Sequence, residues 1–427
     1  MVLHTRNISR LLHTIGHLSH AFVPPSKYRH EPTNQNTHIS TPTQLTINSS
    51  NAGGGGERVL WAAIRATQIR YPGSLCAVYT GDHDVDKAAI LLRVKERFNI
   101  NLHAPSVTFV YLSKRHYVLS TTWPHFTLLG QSLGSLVLGW EALTTLVPDI
   151  FIDTMGYAFI LALSKFLFPS VPTGAYVHYP TISTDMLGSL DEDGQGVNAG
   201  AGKGLRGSVK RTYWELFAKL YGWVGSRVDV VMTNSSWTQA HVRSLWGKTR
   251  RTTTTTDAGT DISVVFPPVA VEEVAQAVAV NAVSESQRSR ALLYIAQFRP
   301  EKNHTLILDA FAKLVNGNNK QYAKGERPRL VLVGSVRNDD DSRFIYKLRL
   351  LVNELHIKED VEFILNAPWP DVLAWLRRAW VGVNGMWNEH FGIGVVEYQA
   401  AGLIAVVNNS GGPKEDIVVE IDGKPTG

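Results

Sequence analysis

Short, continuously apolar segments alternate with longer segments of helical periodicity from Leu75 to the end of the chain. The apolar segments are LCAVYTG, VTFVYLS, DIFIDTMG, GAYVHYP and VDVVMTNS in the first half, and ALLYIAQF, RLVLVGS, VEFILNA, WVGVNG and LIAVVNN in the second. Strands that are apolar on both faces belong to parallel sheets that helices cover on both sides. The chain is therefore predicted to be an α/β protein with doubly wound parallel sheets.

The helix predicted for HTLILDAFAKLV is expected to bury Ile307, Ala310, Phe311 and Leu314, which share one helical face. At 427 residues, with 44% hydrophobic residues, the chain is too long for one core, since single cores stop growing at about 250–300 residues. We therefore predict two Rossmann-like domains that face each other across a cleft. The first is expected at 51–270 and the second at 291–427, with a linker at 271–290.

The first fifty residues differ from the rest. They contain six histidines and many Ser, Thr, Asn and Pro residues, and their first acidic residue is Glu31. Residues 1–50 are predicted to be a disordered tail or a misassigned gene start, with a transit peptide as the less favoured alternative. TPTQLTINSS is a poor candidate for a core strand. The glycine-rich and threonine-rich stretches that begin at Gly188 and Gly247 are predicted to be surface loops.

The charge and cysteine content narrow the partners and the compartment. A net charge of +5 favours an acidic partner, which could be a phosphorylated ligand, an anionic membrane or nucleic acid. The single cysteine, Cys76, cannot form an internal disulfide, which fits a reducing compartment. No run reaches about 18 consecutive apolar residues, so no segment is predicted to span a membrane.

Three glycine-containing or basic turns lie where strands lead into helices, the usual place for anionic ligands in α/β sheets. NAGGGGERVLW places Gly53–Gly56 before a helix, either for close approach to a phosphate or sugar or as a flexible linker. QFRPEKNH brings Arg299 and Lys302 to one strand end, which suits a diphosphate or an ordinary solvated turn. GGPKEDIV, from Gly411, is a weaker phosphate candidate.

WNEHFGIGVVEYQAAG places Glu389 in the turn after a strand and Glu397 about one turn into the following helix. Two carboxylates so placed can each accept hydrogen bonds from different hydroxyls of an extended ligand, while the Gly392–Gly394 backbone approaches phosphates. The alternative is that either glutamate offsets the dipole at a helix start.

These motifs, together with YVHYPTISTDM, TNSSWT and VVFPP, resemble the GT4 family of retaining glycosyltransferases, which have the GT-B fold. Within it they resemble the α-1,2-mannosyltransferases of asparagine-linked glycosylation, over about residues 51–427. The resemblance implies transfer of mannose from GDP-mannose to a dolichol-diphosphate-linked Man3GlcNAc2 oligosaccharide, as its fourth and fifth mannoses. It also implies the cytoplasmic side of the endoplasmic reticulum membrane, with other mannosyltransferases of the pathway as further partners and no role for nucleic acid.

The resemblance also implies roles in the second half of the chain. Arg299 and Lys302 would hold the donor diphosphate, Glu397 the ribose hydroxyls and Glu389 the transferred mannose. The backbone contacts near the phosphates would come from Phe391, Gly392 and Ile393.

In the first half, His178 would face the mannose, although a lone histidine at a strand end is often structural. Gly55 and Gly56 would let the first helix start close to the reacting sugar. No metal or other cofactor is expected, because Arg299, Lys302 and helix dipoles can stabilise the departing diphosphate. The D-x-D sequences at Asp84 and Asp191 are not assigned to metal.

A lipid-linked acceptor requires a surface that faces a membrane. His116–Trp140 contains no Asp, Glu, Lys or Arg, and YAFILALSKFLF is broadly apolar, so both are candidates for docking; a buried core helix is the alternative for each. The resemblance also implies an N-terminal anchor and closing C-terminal helices that are not evident, so residues 291–427 are predicted to be C-terminally incomplete. The rival functions are a related transferase with another sugar nucleotide and a truncated non-catalytic, membrane-associated scaffold.

Overall fold

The computed structural model describes residues 43–47, 55–191, 204–247, 262–317, 322, 327–336 and 338–427. The chain divides into two compact units, Met1–Pro268 and Val269–Gly427. In the described residues, no helix is both long enough and apolar enough to cross a membrane.

The first unit is built on seven parallel strands. They are β1 (Thr43–Ile47), β2 (Leu75–Thr80), β3 (Val107–Tyr111), β4 (Ile150–Asp153), β5 (Thr173–Val177), β6 (Val230–Thr233) and β7 (Ile262–Val264). Their order in the sheet is β3-β2-β1-β4-β5-β6-β7, and all neighbours are parallel. The helices are α1 (Gly55–Arg70), α2 (Lys87–Phe98), α3 (Thr127–Thr145), α4 (Ala158–Leu167), α5 (Thr184–Gly188), α6 (Gly204–Gly225) and α7 (Ser236–Trp246).

Strand β2 shows why consecutive strand residues are apolar: alternate side chains are buried on opposite faces of the sheet. Ala77 and Tyr79 pack into the core that α3, α4 and α6 cover. Cys76 and Val78, which alternate with them, pack into the core beneath α1 and α2 on the other face. Burial raises the pKa of the Cys76 thiol to about 12, so this cysteine is a core side chain. Both faces of the sheet are therefore buried at this strand, as is typical of parallel sheets.

The prediction that residues 1–50 form a tail without a core strand is wrong for Thr43–Ile47. This segment is an interior strand of the sheet, and it pairs with β2 from Thr43 opposite Leu75 and with β4 from Gln44 opposite Ile150. The strand is short and mixes polar with apolar residues, so its sequence carries little signal. Hydrogen bonds to the neighbouring strands on both sides stabilise β1, although its own sequence favours a strand only weakly. Residues 1–42, Gly53, Gly54 and most of both low-complexity stretches lie outside the described residues.

The two segments proposed to contact a membrane differ in exposure. On α4, Ala158, Phe159, Ile160 and Leu161 are buried, which favours the alternative of a core helix for this part of YAFILALSKFLF. On α3, Leu138, Ala142 and Leu143 face the core. The opposite side of α3 leaves Leu133, Val137 and Trp140 exposed.

The second unit is built on five parallel strands and a terminal hairpin. The strands are β8 (Ala291–Ile295), β9 (Arg329–Gly334), β10 (Val361–Leu365), β11 (Val381–Asn384) and β12 (Ile404–Val407), in the order β10-β9-β8-β11-β12; the hairpin is β13 (Glu420–Ile421) with β14 (Lys424–Pro425). The helices are α8 (Val271–Ala277), α9 (Ala282–Ser286), α10 (His304–Gly317), α11 (Asp339–Glu354), α12 (Trp369–Arg378) and α13 (Ile393–Ala400). Hydrophobic clusters lie on both faces of this sheet too.

Residues 271–290, predicted to be a linker, form α8 and α9 and belong to the second unit. Val274 is fully buried in its core, and Trp369 donates a hydrogen bond of 2.8 Å to Glu273. The buried guanidinium of Arg288 donates to carbonyl oxygens of Leu376, Ala379 and Ala401. A charged side chain can be buried here because these carbonyls, together with the Glu285 carboxylate, satisfy its donors.

Helix α10 buries a different face from the predicted one. Its buried residues are His304, Leu308, Phe311, Ala312 and Val315, whereas Ala310 and Leu314 are exposed and only Phe311 of the predicted set is fully buried. Apolar residues surround most of this helix, so periodicity alone allows several faces. Contact with β8, β9 and α11 selects the observed one.

Candidate functional site

The candidate donor site of the second unit lies where the strand order reverses. From β8 the chain goes to β9 and β10 on one side of the sheet, and then to β11 and β12 on the other. The carboxyl ends of β8 and β11 therefore border a topological switch point, where ligands bind in open α/β sheets. The turns that follow these two strands carry Arg299, Lys302 and Glu389.

Tyr398, on α13, holds the two strand ends at this point. The register between β8 and β11 pairs only Leu292 with Val381 and Leu293 with Gly382. Beyond these pairs, the Tyr398 hydroxyl accepts a 2.7 Å hydrogen bond from the Ile295 amide and donates to the Val383 carbonyl at 3.3 Å. The side chain thus bridges backbone groups of both strands.

Gly382 makes room for this tyrosine. A Cβ atom at position 382 would lie 2.2 Å from the Tyr398 ring, far inside van der Waals contact. The pairing of a strand glycine with a helix tyrosine sixteen residues later was not identified from the sequence, because one sequence alone does not show which residues touch.

An ion pair joins two of the predicted site residues directly. The Lys302 ammonium donates to the Glu389 carboxylate, with 2.6 Å between Nζ and Oε2, and both side chains are largely buried. Burial by itself would raise the pKa of the Glu389 carboxyl, but the charge and hydrogen bond of Lys302 hold that pKa below its ordinary value. Glu389 is therefore a charged carboxylate at neutral pH.

Asn384, the last residue of β11, also contacts Glu389. Its side-chain amide donates to Glu389 Oε2 at 3.4 Å, and its carbonyl oxygen accepts from the Met386 amide at 2.9 Å. Asn384 thus ties the start of the Glu389 turn to its carboxylate. The sequence signal was an asparagine at a strand end, and it was overlooked beside the two glutamates.

Arg299 lies on the same strand end but stands apart from the ion pair. Its backbone begins the short 3-10 helix Pro300–Lys302, and its guanidinium contacts Glu301 at 3.3 Å. More than a third of its side chain is exposed. A bidentate cation on a partly solvated turn is able to bind an incoming phosphate.

The remaining donor-site residues lie at the start of α13. Gly392 has φ of +110° and precedes the helix, a conformation that side chains rarely adopt. The Phe391 side chain is packed in a small core with Val395 and Ile417, so backbone groups are what it can offer a ligand. Glu397 is almost fully buried within α13, and Ile393 is partly exposed.

The GGPKEDIV turn, predicted to be a weak phosphate site, packs against the turn that carries Glu389 and supports it. Gly411 has φ of +65°, and a Cβ there would lie 2.3 Å from the Glu389 carbonyl oxygen. The Gly412 amide donates to that same oxygen at 2.7 Å, and Ser410 Oγ accepts from the Asn388 amide at 2.9 Å. The two glycines therefore allow one backbone to lie directly on the other.

In the first unit, the structure brings Gly56 and His178 together. A Cβ on Gly56, in the first turn of α1 beside the exposed Gly55, would lie 3.2 Å from His178 Nε2. His178 directly follows β5, and its ring packs edge-on against Tyr176 at 4.8 Å between centroids. The small size of Gly56 lets the helix start lie against the imidazole.

The segment after His178 is held by α7, through the two motifs YVHYPTISTDM and TNSSWT. Tyr179 stacks on Trp237 with 6.0 Å between ring centroids. His241 contacts Thr184 through Nδ1 at 2.5 Å and Asp185 through Nε2 at 3.5 Å. Burial lowers the pKa of His241, against the opposing effect of Asp185. These contacts fix the loop that carries His178.

A cavity of about 210 Å³ lies at the carboxyl ends of β2, β3 and β4. Its lining is mainly apolar and aromatic, with Arg115 as its one cation, and Arg115 forms an ion pair with Asp82. Nearby, the buried Asp153 carboxylate accepts hydrogen bonds from the Met155 and Gly156 amides, at 2.9 and 3.0 Å. Burial raises the pKa of Asp153 to about 6 despite these bonds.

No cluster of three or more His, Cys, Asp or Glu side chains is present in the part of the chain that the structure describes. Of the D-x-D sequences, Asp191 forms an ion pair with Arg211 at 2.8 Å, and Asp84 lies in the turn before α2.

Solved structures share the fold of this chain. A UDP-forming alpha,alpha-trehalose-phosphate synthase from Burkholderia xenovorans matches with a TM-score of 0.58 and 13% identity, over 88% of this chain and 86% of that chain. Anabaena HepE, in complex with UDP and glucose, matches with a TM-score of 0.54 and 13% identity, over 89% of this chain and 83% of that one. The predicted α/β fold of the GT-B class is confirmed.

Two family models match consecutive parts of the sequence. Residues 47–246 match the ALG11 mannosyltransferase N-terminus, and residues 280–423 match the glycosyl transferases group 1. These regions include the turns that carry His178 and Glu389.

Two named relatives each match 88% of this chain. A Neurospora crassa protein named GDP-Man:Man(3)GlcNAc(2)-PP-Dol alpha-1,2-mannosyltransferase is 65% identical over 385 residues, which are 88% of this chain and 69% of the relative. The Homo sapiens protein of the same name is 48% identical, over 88% of this chain and 74% of the relative. The chain is therefore a glycosyltransferase that belongs to the family of GDP-Man:Man(3)GlcNAc(2)-PP-Dol alpha-1,2-mannosyltransferases.

Proposed function

We propose that this chain transfers mannose, with retention of the α configuration, from GDP-mannose to the 2-hydroxyl of a mannose on dolichol-diphosphate-linked Man3GlcNAc2. The names of its relatives give the donor, the acceptor and the linkage. Addition of both the fourth and the fifth mannose is part of the proposal.

The observation that carries the proposal is the ion pair between Lys302 and Glu389 at the switch point of the second sheet. A cation beside a charged carboxylate suits a ligand with an anionic diphosphate and a sugar that gains positive character. Lys302 and Arg299 would contact the diphosphate, and Glu389 would contact the mannose. The Gly392 and Ile393 backbone at the start of α13 would add N–H groups to the phosphate side.

Glu397 would accept hydrogen bonds from the ribose hydroxyls. It is almost fully buried on α13, four residues after Ile393. Ribose hydroxyls can donate hydrogen bonds to a carboxylate, which accepts through both of its oxygens. Glu397 would therefore contribute to binding of the donor and would not contact the bond that breaks.

The transfer step would occur on one face of the mannose. The bond from the sugar C1 to the diphosphate oxygen breaks, the bond from C1 to the acceptor oxygen forms, and the acceptor proton passes to the leaving diphosphate oxygen. Lys302, Arg299 and the helix start would stabilise the charge on the leaving group. The negative charge of Glu389 would stabilise the cationic character of the ring.

The first unit would supply acceptor-side groups. We propose that His178, supported by Gly56 and by the loop that α7 fixes, is one of them. The cavity with Arg115 at the carboxyl ends of β2, β3 and β4 is our candidate for part of the acceptor, because it offers apolar surface together with one cation.

A lipid-linked acceptor would require the reaction to take place at a membrane. We propose the cytoplasmic side of the endoplasmic reticulum membrane, and other mannosyltransferases of the pathway as neighbours. The alternatives, another sugar nucleotide or a non-catalytic scaffold, are not favoured because the relatives are named for GDP-mannose transfer.

The direct test is transfer of radiolabelled mannose from GDP-mannose to the trimannosyl dolichol-linked acceptor. UDP-N-acetylglucosamine, offered under the same conditions, serves as the donor control. EDTA should leave the initial rate nearly intact, and a loss that manganese restores would contradict metal-independent transfer. Transfer from the UDP sugar alone would instead support a related transferase.

A further inference from the structure

Helix α6 exposes an apolar stripe along most of its length. The exposed fractions of its five members are 85% for Leu205, 59% for Val209, 59% for Leu216, 37% for Leu220 and 50% for Trp223. At about 100° per residue these side chains fall within an arc of about 60°, and at 1.5 Å per residue they extend over roughly 27 Å. We call these five residues the α6 stripe.

A separate face of α6 already has its core partners. Trp214, Phe217, Tyr221 and Val224 are buried in the large core of the first unit. The α6 stripe is therefore a second apolar face, which no described element of the first unit buries. Large contiguous apolar patches on a protein surface mark interaction sites.

Neighbouring helices extend this apolar surface. Tyr213 of α6 accepts a hydrogen bond of 3.0 Å from the Leu129 amide of α3, and its ring meets exposed Phe126 edge-on at 5.1 Å. Helix α4, which packs between α3 and α6, leaves Phe166 more exposed than any of its other side chains. The exposed side of α3 adds Leu133, Val137 and Trp140.

The charges beside the stripe are mostly positive. At about 100° per residue, Arg206 and Lys219 lie on either side of the stripe, each about 70° from its centre. Lys210 lies over the ring of the core-facing Trp214, 4.7 Å from its centre, and Arg211 and the single acid Glu215 lie farther round the helix. Arg211 is partly neutralised by Asp191. Just beyond the helix, the Arg227 guanidinium lies 5.1 Å from the Trp223 ring centre.

These features select among possible occupants. A narrow apolar stripe with basic flanks and a tryptophan beside an arginine is typical of a helix that lies in a membrane interface. Lysine and arginine stems cover apolar surface while their charges reach anionic headgroups. A protein partner would not by itself require basic residues on both flanks of the stripe.

We propose that α6 lies flat in the headgroup region of an anionic bilayer, with the α6 stripe in contact with acyl chains and its basic residues on the lipid phosphates. This inference rests on the proposed function, because a lipid-linked acceptor must be reached at a membrane. It assigns the main contact to α6, whereas the sequence pointed to His116–Trp140 and YAFILALSKFLF.

The test is flotation of the full chain with vesicles of phosphatidylcholine, with and without phosphatidylserine. The variant Leu216→Glu/Trp223→Glu should lose at least tenfold in vesicle affinity. The matched control is Tyr346→Glu/Leu350→Glu, which places two charges on exposed apolar positions of α11 and should bind as the wild type does. Circular dichroism spectra of all three proteins verify that they are folded.

The electrostatic part has its own variant. Arg206→Glu/Lys219→Glu should weaken binding to the phosphatidylserine vesicles by more than about twentyfold, since each basic residue near an anionic surface is worth about fivefold. Binding to phosphatidylcholine alone should change far less. Equal losses on both kinds of vesicle would overturn the assignment of an anionic surface.

A soluble acceptor separates this inference from the proposed function. Mannose transfer to a short-chain lipid-linked acceptor in detergent should be retained by Leu216→Glu/Trp223→Glu. Transfer by a wild type that binds no vesicles would overturn the α6 surface and leave the function standing. Vesicle binding without any transfer would do the reverse. A stripe variant that dissociates an oligomer without changing vesicle binding would reassign the surface to contact between copies.

Discussion

Replacing Glu389 with Gln keeps the shape of the side chain and removes its charge. In the free protein this breaks the ion pair with Lys302, whose Nζ lies 2.6 Å from Glu389 Oε2. Only 21% of the Lys302 side chain and 14% of the Glu389 side chain are exposed, so solvent screens the pair weakly. The substitution should therefore change ligand binding and catalysis in opposite directions.

Catalysis should weaken because the carboxylate would stabilise the positive character of the mannose only in the transition state. One such electrostatic contact corresponds to about a hundredfold or more in kcat. GDP binding should strengthen, because a diphosphate no longer competes with Glu389 for Lys302. A charge-assisted hydrogen bond contributes about 1.5–3 kcal/mol. In the wild type, GDP must displace Glu389 from Lys302. If that displacement costs roughly 1 kcal/mol, the variant, which has no such cost, should bind GDP about fivefold more tightly.

Isothermal titration of GDP and initial rates with GDP-mannose measure the two effects. Glu362→Gln is the control, since it removes one partner of a more exposed ion pair, with Arg329 at 3.0 Å, and should change neither quantity. Weaker GDP binding by Glu389→Gln, or an unchanged kcat, would refute the roles assigned to this pair.

Three further predictions concern the surrounding structure. Glu397→Gln should raise the KM for GDP-mannose and change kcat little, because contacts to the ribose hardly alter during transfer; an unchanged KM in steady-state kinetics would remove the ribose role. Gly411→Ala should lower kcat at least about tenfold, since its Cβ would displace the Glu389 backbone from 2.3 Å. Gly423→Ala is the matched control, with a similar φ of +72° and nothing within 4 Å, and a kcat as low as that of Gly411→Ala would refute the displacement. Burial raises the pKa of Asp153 from 3.8 to about 6. The stability that Asp153 contributes is therefore fully present below pH 4 and is lost as the pH rises through 6, by up to roughly 3 kcal/mol. Thermal unfolding between pH 4 and 8 should show this loss of stability, and Asp153→Asn should remove the dependence on pH.

The donor site illustrates what a sequence can and cannot give. Arg299, Lys302, Glu389 and Glu397 were identified because each lies in the turn or helix that follows an apolar strand, and the family resemblance implied their roles. That Lys302 pairs with Glu389, 87 residues away, depends on β8 and β11 being neighbours. Strand order is a property of the folded sheet.

The supporting residues were missed for the same reason. Gly382 and Tyr398 form one packing unit, and Gly411 rests on the Glu389 backbone. In the sequence Gly382 and Tyr398 are an ordinary glycine and tyrosine, and Gly411 was noted only as part of a weaker phosphate candidate. The close approach that requires a glycine is visible only when the second backbone is in place.

The errors at β1 and α10 have a common physical basis. Thr43–Ile47 has a weak strand pattern, yet neighbours on both sides complete its ladder. Helix α10 has a strong apolar pattern, but the pattern surrounds the helix and does not define one buried side. Local sequence reports local preference, and tertiary contacts decide where that preference is weak or ambiguous.

The sequence by itself determined the α/β class, ten of the twelve sheet strands described in the two units, and the turns that carry the candidate site. It could do so because burial on both faces imposes continuous apolar segments, and because ligands bind where such segments end. The tertiary structure decided the placement of β1, the partner of Glu389 and the exposed face of α6. Each of these depends on contacts between residues distant in the chain, and their energies are not encoded in any single segment.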